Sequence, residues 1–303
     1  MKFSFNRITI ASLAVFIISI LFSCQKENSL SGSSSTTVTE EQASDYSDES
    51  TQADASFEDA GDVGMTAADE EGVASTGGRS EDGSRIYLPT FDELRLRLGS
   101  CAVITVTPND STYPKTITID FGNGCLCADG KFRKGTIILY LTGPIRRSGS
   151  VLTITFRDFY LNRAHIEGTK TISNLSENGQ VKFTVQVVGG KVTFPNGRGY
   201  SYESLKYVVQ IDGMGTATVR DDVYRIEGRS RTEFNNGVVI VLDTDDPLIK
   251  KVACPWISDG TLKITINDRV FRLDYGFPNN GDCDNKALLM WNNGNSQRVI
   301  TLP

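Results

Sequence analysis

The sequence of 303 residues predicts an all-β fold. After residue 100, apolar and polar residues alternate with a period of two, as in Leu262, Ile264 and Ile266. Such alternation is typical of antiparallel strands with one packed face and one solvated face. From residue 86 onward, nine Asn-Gly or Asp-Gly pairs supply the positive-φ residues that tight hairpins require. We therefore expect about 12–16 strands in a meander of hairpins, as a sandwich or a curled sheet, without parallel βαβ units.

The N-terminus has the pattern of an export signal. A short basic segment precedes an apolar run of 15 residues from Ile8 to Phe22. The run is too short for a membrane-spanning helix, which needs about 20 residues, but it suits a secretory signal. It ends in Leu21-Phe22-Ser23-Cys24, which resembles the bacterial lipobox. We expect residues 1–23 to be a lipoprotein signal peptide and Cys24 to carry acyl chains that anchor the protein. A plain signal peptide followed by a chance cysteine is the alternative.

The next segment, residues 24–85, differs in composition from the rest. Residues 25–85 contain 15 acidic residues, 18 serines or threonines, three basic residues and no proline. Such a segment has too little apolar surface to offset the entropy of ordering it. We expect a disordered acidic tether, and an acidic tail that binds a partner is the alternative. The overall net charge of −6 then leaves residues 86–303 with 26 basic and 22 acidic residues.

Residues 86–303 are predicted to be one β-rich domain with a short helix at its start. The helix would run from Phe91 to Leu98 with Thr90 as its N-cap. The alternating leucines of this segment also fit a strand, so that alternative stays open.

Two pairs of segments in this domain resemble each other. An Asp-aromatic-Gly motif occurs at 120–122 and 274–276, each time between two cysteines, and Ile-Glu-Gly occurs at 166–168 and 226–228. Together they predict two duplicated halves, which would form one pseudo-symmetric unit or two similar subdomains. The expected halves are about residues 101–212 and 213–303.

Five cysteines remain when the lipidated one is set aside. An exported protein can hold disulfides. Local pairing joins Cys101 to Cys125 and Cys254 to Cys283, and leaves Cys127 as the odd thiol. A zinc site is the rival interpretation, which the Cys-x-Cys spacing of Cys125 and Cys127 supports weakly.

The sequence indicates no catalytic residue. His165 is the single histidine, so multi-histidine metal sites are excluded, and no Gly-x-Ser-x-Gly motif marks a nucleophile. The densest carboxylate clusters, Asp221-Asp222 and 243–246, lack the full pattern of a calcium loop and are interpreted as solvated turns. We therefore expect no enzymatic activity, no metal and no cofactor.

Aromatic side chains are the candidates for ligand contact. Tyr200, Tyr202, Trp256 and Trp291 could stack on sugars, and the two tyrosines share one face of a strand. Packing in the core is the alternative and the more common role of tryptophan. The small basic excess of the domain gives no reason to expect nucleic acid as a partner.

Several segments carry a resemblance to a known family. They are Tyr113–Gly122, Gly135–Ile138, Phe156–Asn162, Ile166–Thr171 and Cys283–Ala287. On these segments, most of residues 101–303 resembles a family of uncharacterised Bacteroidota lipoproteins. The resemblance implies a location and a topology but no activity. The usual family pattern has no second cysteine near Cys125, which favours Cys127 as the odd thiol.

We expect a non-enzymatic lipoprotein of the outer membrane that presents a rigid β-module as an accessory or ligand-binding component. Its partners would be the membrane, through the lipid on Cys24, and an outer-membrane protein complex or a glycan. Gln25-Lys26-Glu27 contains one acid after the lipid site, a partial signal for the cell surface, with the periplasmic face as the alternative. The alternative function is a carbohydrate-active surface protein, either a glycan-binding module or a glycoside hydrolase.

Overall fold

The computed structural model describes residues 40–76, 87, 89–195, 197–214, 221–254 and 256–302. The expected signal peptide and the expected lipid site, Cys24, lie outside the described residues and stay predictions.

The described residues form two α-helices, fourteen strands and one short 3-10 helix. The helices are α1 (Glu40–Thr76) and α2 (Asp92–Leu98), and the 3-10 helix is Asn292–Gly294. The strands are β1 (Val103–Thr107), β2 (Lys115–Asp120), β3 (Cys125–Leu126), β4 (Phe132–Leu141), β5 (Val151–Leu161), β6 (Ala164–Asn174), β7 (Lys182–Thr193), β8 (Gly199–Asp212), β9 (Val223–Phe234), β10 (Val239–Lys251), β11 (Asp259–Ile266), β12 (Arg269–Asp274), β13 (Lys286–Trp291) and β14 (Ser296–Thr301).

The strands form one antiparallel sheet, which confirms the all-β prediction. Their order is β1-β2-β4 and then each strand in turn to β14, while the short β3 pairs with β4. The turn from β6 to β7 shows the expected chemistry, because Asn178 and Gly179 both have positive φ, at 51° and 79°. Since β8 pairs with β9, the sheet continues across the boundary between the expected halves. The duplication itself stays a prediction.

The segments that suggested the duplication do have similar local structures. In both Asp-aromatic-Gly motifs, the glycine N–H donates to the aspartate Oδ1 at 2.9 Å, from Gly122 to Asp120 and from Gly276 to Asp274. The aromatic residue between them, Phe121 or Tyr275, is buried. Each motif therefore ends its hairpin with the same side-chain-capped turn.

Residues Glu40–Thr76 form a helix of 37 residues, so the prediction of a disordered tether is wrong for this part of residues 24–85. Its buried apolar residues recur every three or four positions and form one stripe: Phe57, Ala60, Val63, Ala67 and Ala68. This stripe packs in the same core as the sheet. The sheet therefore supplies the apolar partner surface that the segment's own composition lacks. Within the described part of the chain, no helix is long and apolar enough to cross a membrane.

The sheet curves around α1. The helix contacts β4, β5, β6, β8 and β10. In a flat sheet β4 and β10 would lie about 29 Å apart, which is more than the width of one helix. Two glycines permit the close approach, since a Cβ at Gly61 would lie 2.5 Å from Lys170 Nζ and one at Gly64 would lie 2.6 Å from Ile154 Cδ1. We call the side of the sheet that faces α1, which includes Ile154, Lys170 and Tyr202, the concave face.

The short helix α2 is present, and α1 caps it. The N–H groups of Glu93 and Leu94 donate to the Glu70 carboxylate at 2.8 and 3.1 Å. Thr90 is not the N-cap, because Phe91 occupies that position and the Thr90 hydroxyl donates to Asp92 at 2.9 Å. A carboxylate from a distant segment thus satisfies the N–H groups that a local side chain was expected to satisfy.

The structure pairs Cys101 with Cys125 and Cys254 with Cys283, as expected. The first disulfide encloses the hairpin β1–β2 and the second encloses the hairpin β11–β12. Cys127 is a buried free thiol whose sulfur lies within 4.8 Å of the Cys101 and Cys125 sulfurs. Because two of these three sulfurs form a disulfide, one thiol remains in the cluster.

Candidate ligand-binding site

Carboxylates of α1 meet buried cations of the concave face at three places. At the first, Asp59 accepts from Arg133 at 2.8 Å, from Arg97 at 2.6 Å and from Lys131 at 2.7 Å. Arg133 is completely buried and also pairs with Asp129 at 2.7 Å. Burial alone would raise the pKa of Asp59, but the three cations outweigh it and hold that pKa below its ordinary value.

At the second place, Glu71 pairs with Lys115, and both side chains are fully buried with 3.4 Å between Nζ and Oε1. The hydroxyls of Ser75 and Tyr113 donate to the same carboxylate. Lys115 Nζ also lies 4.3 Å from the centroid of the Tyr87 ring, a cation–π distance. The charge of each partner is therefore offset within the protein.

At the third place, Glu58 accepts from Lys170 on β6 at 3.2 Å and from Lys206 on β8 at 3.1 Å. Lys170 also donates to the backbone carbonyl of Phe57 at 3.0 Å. Burial would raise the pKa of Glu58, but the two ammonium groups overcome this effect and lower it to about 2. Glu58 is therefore ionised at neutral pH and neutralises part of the lysine charge.

A cavity of about 410 Å³ lies beside this third pair, between α1 and the strands β6 to β10. Its volume is within the range of about 300–1,000 Å³ that is usual for small-molecule sites. Most of the surface area of its wall is apolar, and the apolar side chains come from α1, the β4–β5 loop, four strands and the residue after β10. They include Met65, Ile145, Ile172, Phe183, Val185, Val208, Ile226 and Val252.

Polar and charged residues make up 12 of the 22 residues that line the cavity. Lys170, Lys206 and Lys250 line the cavity on β6, β8 and β10. Asp222 accepts from Gln210 Nε2 at 2.8 Å and from the Tyr224 hydroxyl at 3.2 Å. Burial raises the pKa of the Asp222 carboxyl. Ligand sites usually combine apolar contact surface with polar groups that fix the orientation of the ligand.

The pair between Arg146 and Asp69 forms one border of the cavity. Arg146 Nη2 donates to Asp69 Oδ2 at 2.7 Å, and the arginine side chain is largely exposed. Both residues also line a smaller neighbouring cavity of about 180 Å³. This pair is exposed, so it contributes less to folding than the buried pairs on α1.

Tyr200 and Tyr202 do not form the exposed aromatic surface that the sequence suggested. Both are 1% exposed. Tyr202 stacks on Phe57 of α1 with ring centroids 5.2 Å apart, and Tyr200 packs edge-on against Phe234 at 5.5 Å. Because the sheet curves around α1, the strand face that carries these tyrosines lies inside the molecule.

The remaining candidates lie apart from the cavity. Trp256 is half-buried and packs against the core, while Trp291 is half-buried at the end of β13. His165 lies on β6, where its ring stacks on Tyr160 with centroids 4.7 Å apart. None of these residues is part of the cavity wall as described.

The carboxylate clusters have two different outcomes. Asp243 and Asp245 pair with Arg229 and Arg272 at 3.5 and 3.0 Å, as partly exposed groups. Asp222 is buried in the cavity wall, so its interpretation as part of a solvated turn is wrong. The difference arises because Gln210 and Tyr224 satisfy both carboxylate oxygens of Asp222 inside the protein.

Sequence reasoning missed the three lysines of the cavity. A signal was present, because Lys170 and Lys250 occupy inward positions of strands whose other inward residues are mostly apolar, such as Ile172 and Leu248. A charge at an inward position is expensive unless it is paired, so such a position indicates a structural or functional partner.

Comparison of the chain with protein-family models, with curated proteins and with solved structures found no match. The cavity and its side chains therefore provide the basis for a functional proposal.

Proposed function

We propose that the protein is a non-enzymatic, lipid-anchored binding protein of the outer membrane, and that the cavity beside α1 holds its ligand. The observation that carries this proposal is the cavity of about 410 Å³ with a mainly apolar wall and three lysines. The ligand would be a small molecule with a largely apolar body. The anchor on Cys24 and the position at the cell surface belong to the same proposal.

The cavity favours an apolar ligand over the glycan alternative. Two of the four aromatic residues proposed for sugar contact, Tyr200 and Tyr202, are buried. The other two, Trp256 and Trp291, are not among the residues that line the cavity. The aliphatic side chains of that wall, such as Ile172 and Val208, offer apolar contact surface to a hydrocarbon chain.

The binding proposal can be tested by filling the cavity. Val185 lines it, whereas Val188 on the same strand is 54% exposed. We expect the mature chain, released from membranes in mild detergent, to retain a small molecule that native mass spectrometry detects. Val185→Trp should abolish that adduct and Val188→Trp should retain it. Val208→Phe is a second variant that fills the cavity, from the neighbouring strand β8, in case the larger side chain at 185 prevents folding.

The proposal fails if the wild-type chain carries no adduct beyond its own covalent lipid. It also fails if the adduct persists in folded variants of both Val185 and Val208, because the molecule then binds elsewhere.

The anchor is tested separately. We expect the wild-type chain to incorporate radiolabelled palmitate, to fractionate with the outer membrane and to be accessible to protease on intact cells. Cys24→Ser should lose the label and the membrane association. A wild-type chain without label would contradict the anchor, and a labelled chain that is protected from protease would indicate the periplasmic face.

A further inference from the structure

Lys250 differs from the other lysines of the cavity in what surrounds its ammonium group. The residue is 4% exposed. Its Nζ donates to the backbone carbonyls of Cys254 and Trp256, the second at 3.3 Å. A lysine ammonium has three N–H donors, and the contacts of Lys250 with the described residues use two of them.

The other two lysines already have a counter-charge. Lys170 and Lys206 both pair with Glu58 at 3.1–3.2 Å. Among the described residues, no carboxylate oxygen lies within 4.0 Å of Lys250 Nζ, and two backbone carbonyls are its partners. Asp222, the acid that directly precedes the neighbouring strand β9, has its two oxygens occupied by Gln210 and Tyr224. Among the described residues, Lys250 is thus the lysine of the cavity that has no carboxylate partner.

A buried ammonium without a counter-ion is unfavourable, since carbonyl dipoles replace only part of the hydration it loses. A ligand with an acidic group would supply the missing charge at the unused donor. Charge-assisted hydrogen bonds of this kind are stronger than neutral ones. The apolar wall would accommodate the rest of the molecule.

We propose that the ligand is an anionic amphiphile, a molecule with an apolar body and one acidic group, and that Lys250 binds the acidic group. This inference rests on the proposed function, because it assigns a ligand class to the same cavity. A carboxylic acid and a phosphate ester share the required chemistry.

The test uses two fluorescent probes with the same apolar body. N-phenyl-1-naphthylamine is neutral, and 8-anilinonaphthalene-1-sulfonate carries one additional sulfonate. The mature chain is placed in phosphatidylcholine nanodiscs, and energy transfer from its tryptophans reports the probe bound to protein, with empty nanodiscs as background. We expect both probes to bind and Val185→Trp to expel both.

The variants at Lys250 should separate the two probes. Lys250→Met and Lys250→Gln should each weaken binding of the sulfonate probe about tenfold, the loss of one charge-assisted hydrogen bond, and change the neutral probe less than about twofold. Lys191→Met is the matched control, because Lys191 on β7 is largely exposed and distant from the cavity wall. It should bind both probes as the wild-type chain does.

The outcomes distinguish the two proposals. If neither probe binds in a way that Val185→Trp prevents, the cavity is not the binding site and the proposed function fails. If both probes bind in the cavity but Lys250→Met and Lys250→Gln hold the sulfonate as tightly as wild type, the anionic ligand class is wrong. If the Lys250 variants do weaken binding of the sulfonate probe, competition by dodecanoate and by dodecyl phosphate identifies which acidic group the site prefers.

Discussion

Arg133 and Lys250 are both buried cations on the concave face, but the protein surrounds them differently. Arg133 pairs with two carboxylates, Asp59 at 2.8 Å and Asp129 at 2.7 Å. Lys250 has two backbone carbonyls as its partners within the described residues. At Arg133 the charge is balanced when the chain folds. At Lys250 the balance is left incomplete, which is how a folded protein keeps a charge available for a ligand.

The largest effect is expected where the charge is balanced. Asp59→Asn should lower the free energy of unfolding by about 3–5 kcal/mol, because Arg133, Arg97 and Lys131 lose a shared counter-charge. Urea denaturation measures this change. The control is Asp69→Asn, whose partner Arg146 is largely exposed, and it should cost less than about 1 kcal/mol. Equal losses of stability in the two variants would show that burial does not make the Asp59 pairs more important for folding than the Asp69 pair.

The second effect concerns the disulfide-closed loop whose first residue, Cys254, accepts a hydrogen bond from Lys250. The double variant Cys254→Ala/Cys283→Ala should lose about 2–4 kcal/mol of stability, because the disulfide closes a loop between cysteines 29 positions apart. It should also weaken binding of the sulfonate probe, since the carbonyl of Cys254 helps to position Lys250. The variant Cys101→Ala/Cys125→Ala loses the disulfide that closes a loop of comparable length, and it should retain probe binding. If both double variants bind the sulfonate probe equally well, the Cys254–Cys283 disulfide does not help to position Lys250.

The third effect is a loss of stability in acid. The ammonium groups of Lys170 and Lys206 hold the pKa of folded Glu58 at about 2, against an ordinary value of 4.5. Below pH 4.5 the unfolded chain therefore binds a proton that the folded chain does not, so stability falls as the pH drops towards 2. The free-energy difference between wild type and Glu58→Gln should shrink across this window, on the order of 2 kcal/mol. Urea titrations at several pH values measure it, and a constant difference would contradict the assignment.

The smallest effect is expected at Lys250. Lys250→Met should change the free energy of unfolding at pH 7 by about 1 kcal/mol or less, since it removes a charge that lacks a carboxylate. Burial lowers the pKa of folded Lys250 to about 8, from an ordinary value of 10.5. Between these values the unfolded chain binds a proton that the folded chain has released, so wild-type stability should rise with pH relative to Lys250→Met. A loss as large as that of Asp59→Asn would make Lys250 a structural cation.

The strands, turns and disulfides were predictable because they depend on neighbours in sequence. Alternation in β11 gives the packed face, and an Asn-Gly pair gives a turn such as the one at Asn178. Alternation does not tell which face of a strand lies inside once a sheet curves, and so Tyr200 and Tyr202 were misplaced.

The helix α1 was missed because its stability comes from groups far away in sequence. Its composition alone describes an acidic segment with a stripe of mostly small apolar residues, such as Ala60 and Val63. The partners that make this segment fold, Arg133, Lys115 and Lys170, belong to three different strands. A hint was available in the charges, since the acidic segment precedes a domain with a basic excess.

The position of α1 at the start of the chain also determines when it can fold. The strands form a meander, so each can pair with its predecessor as soon as both have been made. Glu58, in contrast, precedes its partner Lys206 by 148 residues. The helix α1 precedes every described strand but is among the last elements to dock, and its acidic charge helps to keep it soluble until then.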